Sequence, residues 1–516
     1  MKRLMTLLLA AGLVFSATTS AQAIDFKAKG QWLMGFGVGD GSFVNKTRDS
    51  SSASKQKANN NDKFTAAQRV RLQIDAVASE NLSGTVYFEI GDTTWGNAES
   101  GGALGADQTI VEVKNAYIDW AIPETDLKVR MGIQAIAMPA AAGGSGILDD
   151  DLAAVVVNYQ FNENIGLNVM WARPYNDNYT AASNDTSGNN KANYLDNLDL
   201  ISVALPMTFD GFTATPWIMY GIVGQNAVRG SNSAYNSPFL ASYTDKRWHD
   251  GEDDATFDRN GSANTGAFWF GVPMTFTMMD PLNIEFDFNY GYLASQGRGD
   301  ITKSNGDLKR FDTKREGWLA KALVEYKMDW GTPGIFGWYA SGDDSNPKNG
   351  SERMPSISAC GTFTSFMGDG NMGWAADGSV YDRNLAYAGT WGIGLQVKDM
   401  SFVENLSHTF RVAYWGGTNS PSMAKYAATP WSWASSAEGY SGDCDLYLTT
   451  NDSLLEFNLV NEYQMYENFA INLELGYVVN FMDQDTWKKA DSGINGGATY
   501  EKKDAWKAQL IFAYSF

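Results

Sequence analysis

Apolar and polar side chains alternate with a period of two along most of this chain. The clearest stretches are segments 69–76, 127–134, 282–292 and 471–480. Successive side chains of a β-strand point to opposite faces, so this period predicts strands with one apolar and one polar face. No stretch of comparable clarity shows the helical period of about 3.6 residues. The pattern therefore predicts an all-β protein.

The last predicted strand ends on the final residue of the chain. One of its faces carries Trp506, Ala508, Leu510, Phe512, Tyr514 and Phe516, and the other carries Lys507, Gln509 and Ser515. Chain ends usually fray, so an apolar last residue gains little at the end of a soluble protein. We therefore expect Phe512, Tyr514 and Phe516 to face outwards on a strand that pairs with the first strand, which begins near Asp25.

The connections between predicted strands alternate between short turns and long polar segments. Short turns lie near 123–126, 162–164, 210–211, 279–281, 331–334 and 466–468, whereas long segments cover 40–62, 174–196, 225–264, 342–388, 416–451 and 483–502. Long structureless loops are uncommon in compact domains. Transmembrane antiparallel β-barrels, by contrast, combine short periplasmic turns with long extracellular loops. The chain is therefore predicted to form such a barrel, with about 18 strands and about 16 as the alternative.

Residues 1–23 have the organisation of a secretory signal peptide. Lys2 and Arg3 precede an apolar run, and Ala21-Gln22-Ala23 forms a cleavage site of the small-x-small type. The apolar run is too short to span a bilayer as a helix. Residues 24–516 are then expected to form a single barrel domain, wide enough to enclose an aqueous lumen.

The overall composition fits a barrel better than a helical membrane protein or a nucleic-acid-binding protein. The mean hydropathy is −0.30, and no apolar run after residue 23 is long enough for a membrane helix. The 27 Phe, 24 Tyr and 17 Trp suit aromatic girdles at two membrane interfaces. The net charge of −20 opposes binding to nucleic-acid phosphates.

Three stretches of the sequence resemble a known family. They are the opening strand DFKAKGQWLMGFGVG, the strand VKNAYIDW at Val113–Trp120 and the terminal AYSF. Together with the rest of 24–516 they resemble the homotrimeric outer-membrane porins of sulfate-reducing (Desulfovibrio-type) bacteria and, more generally, the trimeric porins of Gram-negative bacteria. The resemblance implies a homotrimer in the bacterial outer membrane, in contact with lipid and lipopolysaccharide. It also implies that barrel-assembly machinery recognises the last strand through Phe512, Tyr514 and Phe516.

The function implied by the resemblance is passive diffusion of small hydrophilic solutes and ions through a water-filled channel. One alternative is a substrate-selective channel for sugars or organic acids, and a sugar channel would carry a stacked aromatic track in its lumen. The other alternative is a barrel that serves as an enzyme or an adhesin.

A candidate constriction follows the fifth predicted strand. Segment 135–151 combines small apolar residues with Asp149, Asp150 and Asp151, and by position and acidity it resembles the porin loop that folds into the barrel and narrows it. The bases expected opposite this loop lie on the polar faces of the second and fifth predicted strands; they are Arg69, Arg71, Lys128 and Arg130. Opposed rows of charge at a narrow point would orient polar solutes in a transverse field.

The alternative interpretation gives these charges no special role. The three aspartates would then cap the next strand at a solvated edge, and the bases would be ordinary lumen charges. Ion preference stays open in the same way. Inward carboxylates outnumber inward bases on the predicted strands, which favours cations, whereas arginines at the narrow point would favour anions.

Motifs of catalysis and of metal binding are nearly absent. His249 and His408 have no serine or cysteine elbow nearby, and no GxSxG occurs, so no enzyme is predicted. The acidic loop Asp250–Asp258 could bind calcium through oxygen ligands, but it lacks the EF-hand spacing, and a solvated loop is the alternative. No other cofactor or metal site is predicted.

The two cysteines, Cys360 and Cys444, lie in polar segments predicted as loops. In an exported protein they would form one disulfide between two surface loops, with two free thiols as the alternative. No histidine or further cysteine accompanies them at metal-ligand spacing, so they are not predicted to bind a metal.

Overall fold

The computed structural model covers most of the predicted barrel. It describes residues 24–40, 44–48, 63–99, 101–106, 111–176, 197–224, 264–295, 298–302, 308–312, 314–346, 348–359, 361–363, 387–425, 448–483, 485–486, 499–502 and 504–516. The predicted signal peptide 1–23, His249, the acidic loop Asp250–Asp258 and both cysteines lie outside these residues, so the hypotheses about them stay predictions.

Eighteen antiparallel strands form one closed sheet in the described part of the chain, as the alternation predicts. The first nine are β1 (Asp25–Asp40), β2 (Lys63–Ser79), β3 (Leu82–Thr94), β4 (Val111–Ala121), β5 (Leu127–Ala137), β6 (Asp149–Gln160), β7 (Gly166–Asn176), β8 (Asn197–Ala204 and Met207–Phe209) and β9 (Phe212–Ala214 and Trp217–Gly224).

The second nine strands complete the wall. They are β10 (Asn264–Met279), β11 (Leu282–Leu293), β12 (Arg315–Tyr326), β13 (Thr332–Ala340), β14 (Thr390–Val403), β15 (Leu406–Gly417), β16 (Ser453–Tyr466), β17 (Phe469–Asn480) and β18 (Ala505–Ser515). Each pairs with its neighbours along the chain, and β18 pairs with β1. No helix among the described residues is long and apolar enough to cross a membrane.

Strands β8 and β9 are each interrupted once, and both interruptions contain a proline. Pro206 breaks β8 and Pro216 breaks β9, and the two breaks face each other, because the Leu205 N–H donates to the Pro216 carbonyl at 3.0 Å. Proline has no N–H to donate to the ladder, so strands are interrupted or confined to edges where it occurs. Each interrupted pair of segments still occupies one place in the wall.

The predicted asymmetry of the connections is confirmed. β2–β3, β10–β11, β14–β15 and β16–β17 are joined by turns of two residues at one end of the barrel, the short-turn end. The long connections, such as those after β1, β9, β13 and β15, leave from the opposite, long-loop end. Both described chain ends lie at the short-turn end, since an even number of strands returns the chain to its starting side.

The last strand closes the barrel on the first. Trp32 lies opposite Tyr514 in the register, and the two outward rings stack at 5.7 Å. Beyond the strand, Phe516 and Gly30 exchange two backbone hydrogen bonds of 3.0 Å each. A larger residue would be crowded here, because a Cβ on residue 30 would lie 2.7 Å from the Arg71 carbonyl oxygen and 2.6 Å from the Phe516 ring. The pairing of the terminal strand is thus as predicted, whereas its recognition by assembly machinery stays a prediction.

The outer face of the wall is apolar on strands all around the barrel. Exposed side chains on this face include Ile118, Ile201, Ile218, Ile335 and Leu395. A continuous apolar belt of this kind is rare on soluble monomers and is the surface that a barrel presents to hydrocarbon.

The interior is less uniformly polar than the alternation predicts. Inward side chains near the long-loop end include buried aromatic residues, among them Trp269 on β10, Trp338 on β13 and Trp415 on β15. They belong to one buried apolar cluster together with residues from four of the connections at the long-loop end, those after β5, β13, β15 and β17. The barrel therefore has a partly packed interior as well as a polar one.

Candidate functional site

The connection between β5 and β6, residues 138–148, lies against the far wall of the barrel. We call it inner segment A. The Trp217 indole on β9 donates to the Pro139 carbonyl at 3.1 Å, and the Tyr387 hydroxyl donates to the Gly143 carbonyl at 2.5 Å. Since β9 is separated from β6 by β7 and β8 in the ring, these contacts require the segment to cross the interior rather than follow the rim.

Two charged residues on the far wall also hold inner segment A. The Asp287 carboxylate on β11 accepts hydrogen bonds from the Ala141 N–H at 2.9 Å and the Ala142 N–H at 2.6 Å. Lys321 Nζ on β12 donates to the carbonyls of Ala142 and Gly144. The backbone of the segment, rather than its side chains, makes these contacts.

The small residues of inner segment A permit this close approach. Gly143 and Gly144 adopt positive φ angles of 64° and 77°, which residues other than glycine rarely adopt. A Cβ on residue 143 would also lie 2.6 Å from the Phe363 ring. The small apolar half of the predicted loop is therefore needed for its conformation.

A second segment from the connection between β13 and β14 also enters the interior. We call its residues 351–359 and 361–363 inner segment B. The Ile147 carbonyl accepts from the N–H groups of Ile357 and Ser358 at 2.8 and 3.1 Å, and the Asp149 N–H donates to the Ser358 carbonyl at 2.7 Å. Leu148 and Ser358 form a parallel β-bridge. The two inner segments thus run side by side.

Buried polar contacts and aromatic packing hold inner segment B in place. Arg353 Nη2 donates to the Ala388 carbonyl at 2.8 Å, and the Trp269 indole donates to the Pro355 carbonyl at 2.9 Å. Phe363 stacks on Phe336 with ring centres 4.7 Å apart. This segment was not predicted from the sequence, where its only signal is the apolar set Met354, Ile357 and Phe363 within a long polar connection.

The aromatic residues around the inner segments do not form the open track of a sugar channel. Phe336, Trp338, Phe363 and Tyr387 are all buried, and their rings pack on one another. Buried faces cannot stack on a passing sugar ring. In the described residues, these rings therefore pack the interior rather than line a path.

The four predicted bases lie on the inward faces of β2 and β5. Arg69 pairs with Asp92 at 3.5 Å and Arg71 with Glu89 at 2.5 Å. Lys128 lies two residues before Arg130, towards the short-turn end. The arginines on β2 are thus partnered by carboxylates of the adjacent strand.

Arg130 on β5 has the most defined geometry of the four. It makes a bidentate pair with Asp119 on β4, at 2.7 and 3.0 Å, and its guanidinium lies over the Tyr117 ring at 4.3 Å. Bidentate pairing and stacking both use the planar guanidinium, so a lysine would not replace this arginine.

Two of the three aspartates contact residues that the sequence did not pair with them. Asp150 accepts from the Ser358 hydroxyl of inner segment B at 3.0 Å. Asp151 pairs with Lys114 and accepts from the Asn115 amide at 2.8 Å. Among the described residues none of the three forms an ion pair with the four predicted bases. Their role at a constriction stays a prediction.

Lys114 is a partner that the sequence pattern did not predict. In the register of β3 and β4, Tyr87 opposes Asn115 and Phe88 opposes Val113, so Lys114 is the extra residue of a β-bulge. A bulge redirects a side chain without leaving a mark in simple alternation.

Within the described residues, no cluster of three or more His, Cys, Asp or Glu side chains could hold a metal ion.

The charged groups on the two sides of the interior differ in exposure. The side chains of Arg71 and Glu89 are 25% and 15% exposed, and those of Arg130 and Asp119 are 43% and 38% exposed. The side chains of Lys321 and Asp287 are 0% exposed. Water therefore reaches the inward face of β2–β5, whereas the inner segments cover the inward face of β11 and β12.

Comparisons with known proteins find solved structures that are similar to this chain but do not assign it to a family. No protein-family model and no curated protein matches the chain. Among solved structures, it is similar to the outer membrane protein OpdK of Pseudomonas aeruginosa (9% identity, TM-score 0.47, 95% of this chain and 99% of that chain). It is also similar to OpdQ of the same organism (11%, 0.47, 95% and 98%) and to OccK11 (11%, 0.45, 95% and 96%).

Proposed function

We propose that the protein is an outer-membrane channel through which small hydrophilic solutes and ions diffuse passively. One observation carries the proposal: the closed wall has an apolar outer belt and, along β2–β5, an inward face of partly exposed charges. An apolar exterior suits hydrocarbon, and partly exposed inward charges need water in the lumen. An 18-stranded barrel is wide enough to hold that water.

The constriction in this proposal is formed by the two inner segments on one side and the charged face of β2–β5 on the other. The contacts of inner segment A with β9, β11 and β12 support this arrangement, because they carry the segment across the interior. Arg69, Arg71, Lys128 and Arg130 then border the open side, and Asp149, Asp150 and Asp151 lie where inner segment A rejoins the wall.

A substrate-selective channel is the second candidate. Two inner segments packed side by side narrow the interior more than one loop does, and narrow pores discriminate more strongly. Among the described residues the buried rings offer no aromatic track, which disfavours sugars. Arg130 does not by itself favour organic acids, because Asp119 already occupies the bidentate face of its guanidinium.

The remaining parts of the proposal concern export and partners. We propose export through the signal peptide 1–23, assembly through the strand that ends in Phe512, Tyr514 and Phe516, and a homotrimer surrounded by lipid and lipopolysaccharide. The aromatic pairs at the seam of β1 and β18 and the apolar belt support a membrane location.

Planar-bilayer recording of the purified protein tests the proposal. We expect stepwise ion conductance, and closure in three steps would support the trimer. Absence of any conductance by protein that has folded would overturn the channel. Swelling of protein-loaded liposomes in sugars and in organic acids of equal size separates the two candidates, since only a selective channel admits one class much faster.

A further inference from the structure

The pair Asp287 and Lys321 lies at a distinctive place in the wall. The two residues are direct partners in the register of β11 and β12, and both side chains point inwards. Both are 0% exposed, and Lys321 Nζ lies 3.6 Å from Asp287 Oδ2. Charges removed from water in this way are costly unless other polar groups surround them.

The surrounding polar groups come from inner segment A. Asp287 accepts from two successive N–H groups, those of Ala141 and Ala142, and Lys321 donates to the carbonyls of Ala142 and Gly144. The acid therefore takes the donors and the base takes the acceptors of one four-residue stretch. Each contact is a hydrogen bond to an ionised group, which is stronger than a bond between neutral groups.

We propose that Asp287 and Lys321 act as a two-sided clamp that fixes inner segment A across the barrel. The polarity of the clamp matters as much as its charge, because a carboxylate at 321 could not donate to the carbonyls and an ammonium at 287 could not accept from the N–H groups. The consequence for conduction rests on the proposed function, whereas the position of the segment does not.

Hydrogen exchange of the folded protein in detergent micelles tests the clamp directly. The decisive variant is the exchanged pair Asp287→Lys with Lys321→Asp, which keeps both charges and inverts their order. We expect the amides of Ala141 and Ala142 to exchange at least about tenfold faster than in the unaltered protein, since each loses a charged acceptor. Unchanged protection of these amides would overturn the clamp.

Two further variants serve as a control and as a substitute for the exchanged pair. Lys398→Met removes the lysine of another inward pair, in which Nζ lies 2.6 Å from Glu325, and should leave the exchange of Ala141 and Ala142 unchanged. Asp287→Asn has nearly the shape of the original side chain. Should the exchanged pair fail to fold, acceleration in Asp287→Asn supports the clamp and unchanged exchange there overturns it.

Single-channel recording separates the clamp from the proposed function. With inner segment A released, we expect larger and noisier unitary currents from the exchanged pair than from the unaltered protein. An unaltered protein that folds but never conducts would overturn the channel, and the exchange rates alone would then decide whether the clamp exists. Faster exchange with identical currents would retain the clamp but remove its control of the cross-section.

Discussion

The inward faces of β2–β5 and of β10–β13 carry similar residue types, but their side chains differ in exposure to water and in what they contact. Along β2–β5, arginines pair with carboxylates of the adjacent strand and stay partly exposed. Along β10–β13, charged and aromatic side chains are buried and bind or pack against the two inner segments. The difference shows that an inward charge lines a water path only where no chain segment covers it.

The buried side also supplies much of the packing that a wide barrel would otherwise lack. Interior residues of soluble proteins gain stability from apolar burial. Here a comparable core forms inside the barrel, with described residues from β5–β13 and β15–β18 but none from β1–β4. The open side is held mainly by the strand ladder and by its own ion pairs.

Replacement of the buried indole on β10 should have the largest effect. Trp269→Ala removes a fully buried ring and its 2.9 Å hydrogen bond to Pro355, so we expect the free energy of unfolding to fall by about 3–5 kcal/mol. Urea unfolding in detergent or lipid measures it. The matched change on the open side is Tyr87→Ala, which should cost clearly less. Equal losses would contradict the contrast between the two sides.

Neutralisation of the charges on β2 and β3 should change ion preference without comparable loss of stability. Arg71→Gln leaves Glu89 unbalanced and should shift the reversal potential in a salt gradient towards cations, and Glu89→Gln should shift it towards anions. Arg71→Lys is the control, because it retains the charge. No shift in either neutral variant would remove this pair from the water path.

The smallest expected effect is a pH dependence confined to the packed side. Burial, with Asp343 and Asp344 nearby, raises the pKa of Glu352 from 4.5 to about 7. A raised carboxyl pKa means that the protonated form is favoured in the packed state. The contribution of Glu352 is therefore complete below pH 4.5, declines as the pH rises towards 7, and is absent above the raised pKa.

Hydrogen exchange around Glu352, corrected for intrinsic rates, measures that dependence. We expect amides near residue 352 to be more protected in acid than at neutral pH, and Glu352→Gln to remove the difference. Asp344→Asn should lower the pKa of Glu352, because a like charge is lost, and move the transition to lower pH. A transition that persists in Glu352→Gln would assign it to another group.

Most of the barrel was predictable because its strands separate two environments. Water on one side and hydrocarbon on the other impose alternation, and this alternation marks β2, β5, β11 and β17 in the sequence. It is blurred in β10, β13 and β15, where Trp269, Trp338 and Trp415 point inwards opposite apolar outward residues. Strands that are buried on both faces lose the period that identifies them.

The interior was only partly predictable. The resemblance to porins implies an inward loop after the fifth strand, but the partners Asp287 and Lys321 of inner segment A are far away in the sequence and look like ordinary inward charges. Inner segment B has no period at all, and the bulge at Lys114 redirects one residue without a sequence signal.

Local sequence patterns thus specify most of the wall: the order of the strands, the two unlike ends and the closure of β18 on β1, with about 18 or about 16 strands. These depend on alternation within each strand and on the lengths of connections. The folded arrangement alone reveals which inward charges meet water and which are buried under the inner segments. That outcome depends on contacts between residues more than a hundred positions apart, such as Ala142 and Asp287, for which no local pattern exists.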